Sequence, residues 1–177
     1  MNTIQGTGRA AGFRFALVVS KYNDFVTDRL QAGAIATLAA GAAASDDITV
    51  VRVPGAFEIP LAAQHAAETG RFDAIICLGC LIRGETPHFE YISSAVAHGI
   101  MAAAGETGLP IAFGVLTTDT QAQAAERAGK GPDNKGWEAA AACIEMAVLF
   151  RKLGRAPARP HSRSFGFEPG PGRGDAR

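Results

Sequence analysis

Short apolar runs alternate with longer amphipathic segments along most of this chain. Residues 15–20, 48–53, 74–82 and 111–116 are apolar or β-branched stretches bounded by Gly, Pro or charge, and they read as strands. They are continuous rather than alternating, as a parallel sheet covered on both faces requires. Residues 24–44 carry Phe25, Leu30, Ala34, Ile35 and Leu38 near a 3.6-residue period, with Gly41 near the stop, and predict a helix. Residues 57–68 are Ala-rich and helical, ending at Gly70. Further helices are predicted over 88–104, closed by Gly105 and Gly108, and over 120–128, stopped by Gly129. Residues 130–136 read as a loop, and 137–153 as a long final helix before Gly154.

The order β-α-β-α-β-α-β-α-α implies an α/β fold, with a four-stranded parallel sheet between two helix layers. This is a flavodoxin-like three-layer αβα sandwich. At 177 residues the chain suits one domain with a real core. Residues 1–154 form that domain, with 1–12 as an N-terminal arm. From 155 to 177 the composition turns to Arg, Pro, Gly and Ser, which reads as a solvated, disordered tail. Seventeen Lys/Arg balance seventeen Asp/Glu, so no global field favours nucleic acid or an anionic membrane. No run approaches a membrane span, and no charged start precedes an apolar block at the N-terminus. The expected compartment is the cytoplasm.

Parallel α/β sheets bind ligands beyond the carboxyl ends of their strands. Here those ends carry Lys21-Tyr22-Asn23-Asp24, then Pro54 to Glu58, then Cys80 to His88, then Thr117-Thr118-Asp119, with Phe113 on the fourth strand itself. Aromatic, acidic and hydroxyl residues gather at this rim, whereas the opposite loops are plain turns. An apolar strand that empties through a Gly-containing loop into a helix start is a ready anion site, because unpaired N–H groups and the helix dipole converge there. His88 at that helix start adds a proton carrier whose ordinary pKa lies near ~6.5. Standard nucleotide motifs are missing. No G-x-G-x-x-G follows the first strand, and Ala128-Gly129-Lys130-Gly131 lacks P-loop spacing. Lys21-Tyr22-Asn23 also lacks the hydroxyl-rich loop that a flavin mononucleotide carrier needs. Cys77 and Cys80 lie three apart in a strand and so point to opposite faces, which excludes a shared metal and favours packing.

Four motifs now become specific together. Val53-Pro-Gly-Ala-Phe-Glu-Ile-Pro60, Leu78-Gly-Cys-Leu-Ile-Arg-Gly-Glu-Thr-Pro-His-Phe89, Phe113-Gly-Val-Leu-Thr-Thr118, and Glu126-Arg-Ala-Gly129 followed by Asn134-Lys-Gly136 occur in this order. Over roughly 13–154 the chain closely resembles the 6,7-dimethyl-8-ribityllumazine synthase family of riboflavin biosynthesis. The resemblance implies condensation of 5-amino-6-(D-ribitylamino)uracil with 3,4-dihydroxy-2-butanone 4-phosphate, with no metal or redox cofactor. The alternative is a non-catalytic lumazine- or flavin-binding paralogue, or one whose duty is to form a shell.

The resemblance also implies residue roles. His88 is the proton carrier. Tyr22 stacks on the pyrimidine, where the family usually has Phe or Trp. Ala56, Phe57 and Glu58 meet the ribityl chain and ring, Cys80, Leu81 and Ile82 line the pocket through backbone groups, and Phe113 closes it. Arg127, Lys135, the backbone of Glu85 and Thr86, and the Thr86 hydroxyl receive the phosphate. The family's sites lie between adjacent subunits of a pentamer, Phe113 and the Arg127 to Lys135 region reaching one site from different chains. Some members stack twelve pentamers into a shell, and riboflavin synthase is a further candidate partner. A short loop at 129–136 leaves a shell open.

Overall fold

A computed structural model describes residues 1–154; the cationic tail and His161 lie outside the described residues. Four parallel strands form one sheet in the order β2-β1-β3-β4, with β1 at Phe15–Ser20, β2 at Ile48–Val53, β3 at Ala74–Ile82 and β4 at Ile111–Thr118. The central β1 is buried throughout, and β3 is buried up to Cys80. Five helices cover the sheet: α1 (Asp24–Ala40), α2 (Ile59–Glu68), α3 (His88–Thr107), α4 (Gln121–Arg127) and α5 (Lys135–Leu153).

Strand alternation divides the core into two layers. Leu17, Val19, Ile76, Leu78 and Cys80 face one way, against Leu30 and Leu38 of α1 and Cys143, Ile144 and Val148 of α5. Ala16, Val18, Ile75 and Cys77 face the other way, against Ile59 and Ala63 of α2 and Val96 and Ile100 of α3. Cys77 and Cys80 thus lie in separate layers, as their spacing requires.

Several boundaries differ from the sequence reading, each for a local reason. The buried stripe of α1 is Val26, Leu30, Ala34 and Leu38, one residue every four, while Phe25 is 43% exposed. This helix stops at Ala40, and Ala42 just beyond it has φ 68°. Residues 56–58 form a 3-10 turn before α2, because the Glu58 carboxylate folds back to accept from Gly55 N at 2.9 Å. Pro60 then occupies the first turn of α2, where its missing N–H costs nothing. The last helix starts two residues early, at Lys135. Asn134 caps it, with Oδ1 accepting from Gly136 N at 2.8 Å and Trp137 N at 3.2 Å. Its Nδ2 donates to the carbonyls of Arg29 and Gly129. Gly136 is needed here, since a Cβ would lie 2.0 Å from the Leu30 carbonyl oxygen where α5 crosses α1.

The arm packs on the α1–α5 layer. Ala10 N donates to Gly41 O at 2.7 Å, and Lys152 Nζ to Gln5 O at 2.9 Å. Among the described residues no helix is long and apolar enough to cross a membrane.

Candidate active site

The strand order reverses direction between β1 and β3. Chain connections leave toward opposite faces at such a point, so the loops beyond these strands part and a crevice opens. A cleft of about 340 Å³ lies here, a size suited to a small metabolite. Its lining includes Tyr22 after β1, Ala56, Phe57 and Glu58 after β2, and Cys80, Leu81, Ile82, Thr86 and His88 at the end of β3 and the start of α3. Nine of the predicted site residues therefore share one concavity. Tyr22 and Phe57 are 70% and 58% exposed, so their rings are available to a ligand and do not belong to the core. Glu85 is exposed and does not line the cleft, consistent with an outward side chain. The other described histidines lie elsewhere: His98 bonds within α3 through Ser94, and His65 sits 4.0 Å from Glu68 on α2.

Phe113, Arg127 and Lys135 are absent from that cleft. They line a second one, of about 380 Å³, along the open edge of β4, together with residues 114–117 and Glu138, Ala139 and Ala142. The sequence reading put Phe113 at the carboxyl rim. In the sheet it pairs with Cys77, five positions before Ile82, because β4 runs from Ile111 to Thr118 and Phe113 is only its third residue. It also shares this cleft with Arg127 and Lys135 on one chain. Arg127 donates to Gln123 O at 3.1 Å and faces no carboxylate partner among the described residues, whereas Lys135 Nζ is 2.5 Å from Glu138 Oε2.

A sequence model of 6,7-dimethyl-8-ribityllumazine synthase matches residues 12–151. The chain is also 55% identical, over 144 residues, to the 6,7-dimethyl-8-ribityllumazine synthase of Syntrophus aciditrophicus (strain SB), covering 81% of this chain and 94% of that protein. This chain belongs to the lumazine synthase family. That family carries out a transferase step of riboflavin biosynthesis.

Three side chains that the motif reading left without a role organise the two clefts. Asn23 adopts left-handed φ 60°, ψ 45°, which its short polar side chain tolerates. Its Nδ2 donates to Cys80 O at 2.9 Å, and its own carbonyl accepts from Val26 N and Thr27 N. Lys21 N and Tyr22 N donate to the carbonyls of Val53 and Pro54. The loop carrying Tyr22 is thereby tied to the ends of both β2 and β3. Arg83 clamps the loop after β3, and Glu138 neutralises Lys135 in the second cleft. Asn and Arg at these positions were visible in the sequence, but Cys80 lies 57 residues from Asn23 and Asp119 lies 36 from Arg83.

All three thiols are buried, which disfavours the reactive thiolate. Burial pushes Cys80 up to about 11 and Cys143 to about 12, and raises Cys77 further still. A disulfide reagent at about pH 8 should leave the native protein essentially unlabelled and modify all three cysteines on unfolding, because only the thiolate reacts. Rapid labelling of the native fold would overturn this assignment.

Proposed function

We propose that this chain condenses 5-amino-6-(D-ribitylamino)uracil with 3,4-dihydroxy-2-butanone 4-phosphate to give 6,7-dimethyl-8-ribityllumazine and inorganic phosphate. The observation that carries the reading is the 55% identity to a 6,7-dimethyl-8-ribityllumazine synthase across 94% of that protein. The reaction forms and breaks bonds in order. The pyrimidine's amine adds to the ketone and water leaves, giving an imine. Loss of a proton from the hydroxyl-bearing carbon expels phosphate as the C–O bond breaks, and the enol left behind takes up a proton at its terminal carbon to become a methyl ketone. The ribityl-bearing nitrogen then closes on the remaining carbonyl, and a second water leaves.

Each step moves protons between atoms that must stay close, so positioning supplies much of the catalysis. His88, at the cleft mouth, carries the protons. Tyr22 stacks on the pyrimidine, while Ala56, Phe57 and Glu58 hold the ribityl side. The Glu58 carboxylate spends one oxygen on Gly55 N and keeps the other for a hydroxyl. Backbone groups of Cys80, Leu81 and Ile82 meet the ring's edge. The N–H groups of Glu85 and Thr86 and the Thr86 hydroxyl receive the phosphate. Arg127 completes that pocket with a planar fork matched to phosphate oxygens. Lys135 contributes less direct charge, since Glu138 already pairs it.

Both clefts are needed for this assignment, and one chain keeps them separate. They meet when the β4-edge cleft of one copy abuts the switch-point cleft of the next. The contact is heterologous, and a heterologous contact that closes makes a ring. A pentamer, alone or as twelve pentamers in a shell, fits this reading, and riboflavin synthase would consume the product. The open β4 edge supports it, as do Leu61, Tyr91 and Met101, which are 75%, 72% and 74% exposed on α2 and α3.

Incubating the purified protein with both substrates tests the reading. Lumazine absorbance and phosphate should rise together, one for one. Lumazine binding without phosphate release, the behaviour of a non-catalytic relative, would overturn it.

A further inference from the structure

The loop from residue 84 to 87 joins β3 to α3 and ends one residue before His88. Gly84, Glu85 and Thr86 make no hydrogen bond to other described residues, so the loop is held only at its ends. Arg83 occupies the first end and reaches past the loop to the second. Its Nη1 donates to Glu90 Oε1 in the first turn of α3, and its guanidinium lies over the Phe89 ring, 4.4 Å from the centroid. Its Nε donates to Asp119 Oδ1 at 2.7 Å, just beyond β4, and its backbone N to Thr118 O at 2.8 Å. One side chain thus joins both ends of the loop to the neighbouring strand's turn. Its two partners use different nitrogens of one planar group, a geometry that lysine lacks.

We infer that Arg83 is a positioning residue. It closes the 84–87 loop like a staple, so that the Glu85 and Thr86 N–H groups and the His88 imidazole present a fixed arrangement to the phosphorylated substrate. This deepens the lumazine synthase reading of the cleft and rests on it. The ionisation of the pair fits the role. Hydrogen bonding to Arg83 holds the Glu90 carboxyl below its ordinary 4.5, and hydrogen bonds to Asp119 and Glu90 raise the Arg83 guanidinium. Glu90's folded value is depressed, so the contact is present at neutral pH and is lost as acid protonates the carboxylate.

Arg83→Gln, Arg83→Lys, Glu90→Gln and the Arg83→Gln/Glu90→Gln double variant test the inference. Amide hydrogen exchange at residues 83 and 90, the hydrogen-bonded amides at the loop's two ends, and steady-state kinetics in each substrate are the readouts. Arg83→Gln and Arg83→Lys should both lower kcat/KM for the phosphorylated ketone by about 10- to 100-fold, the usual consequence of an ångström-scale misplacement. The KM for the pyrimidine should stay within about threefold, because Tyr22 and Ala56 are held by other bonds. Exchange should quicken at residues 83 and 90 but not in the interior of β3. Adding Glu90→Gln to Arg83→Gln should cost little more, since the two act as a unit. Parental kinetics or unchanged exchange in Arg83→Gln would overturn the inference. Full activity in Arg83→Lys would do so as well, since the guanidinium would then be acting as a bare charge. An inactive parent protein would instead count against the proposed reaction, while the exchange measurement would still report on the staple.

Discussion

Replacing His88 with alanine should slow lumazine formation by about 10- to 10⁴-fold, the range associated with losing a positioned proton-transfer group. The fold should not suffer. His88 is the first residue of α3, its side chain is exposed, and it has no hydrogen-bond partner among the described side chains. Pro87 and the first turn start the helix without it. A drop in kcat at unchanged melting temperature would therefore report chemistry rather than stability. Binding of the pyrimidine should persist, because Tyr22 and the backbone at Cys80 are fixed by Asn23 and the ends of β1 and β2. Single-turnover absorbance after mixing preformed protein–pyrimidine complex with the ketone isolates the step. Turnover equal to the parent's would remove His88 from its assigned role.

The parts of this molecule governed by short-range rules were legible before any coordinates. The bounds of β1, β2 and β3 match the apolar runs residue for residue, β1 and most of β3 because they are buried on both faces and β2, at the sheet edge, through its β-branched residues. The rim was legible too, because strand direction in a parallel sheet puts loops rich in Tyr22, Phe57, Glu58 and His88 on one side. Phe113 was misplaced because its height in the sheet depends on register, and register with Cys77 is a pairing between chain segments. The same holds for Asn23, whose Lys21-Tyr22-Asn23 context announces a loop but not the Cys80 carbonyl it binds. Arg83 receives no role from the sequence pattern, because Glu90 and Asp119 converge on it only in the fold. The resemblance implied sites shared between subunits, but the residue pattern alone does not give the division into two clefts, which follows from β4 lying at the sheet's open edge.

That division leads to the second large effect. Arg127→Ala should raise the KM for the phosphorylated ketone by about 10- to 100-fold, as loss of a charge-assisted hydrogen bond predicts, and should spare pyrimidine binding. In a ring built on heterologous contacts, each site takes its His88 cleft from one copy and its Arg127 cleft from the next. A His88→Ala chain keeps a sound second cleft, and an Arg127→Ala chain keeps a sound first one. Assayed at ketone concentrations well below the raised KM, where both variants are weakly active, the two proteins refolded together at equal amounts should then regain about a quarter of parental activity. Each site draws its two halves independently, and only one of the four combinations is intact. The fraction does not depend on the number of copies in the ring. Mass measurement on the same sample establishes that the chains have mixed. Recovery absent from a mixed ring would mean that each chain completes its own site, and the two-cleft assignment would fall. Recovery near a quarter would place Arg127 and His88 of one site on different copies, a conclusion that neither single variant can reach.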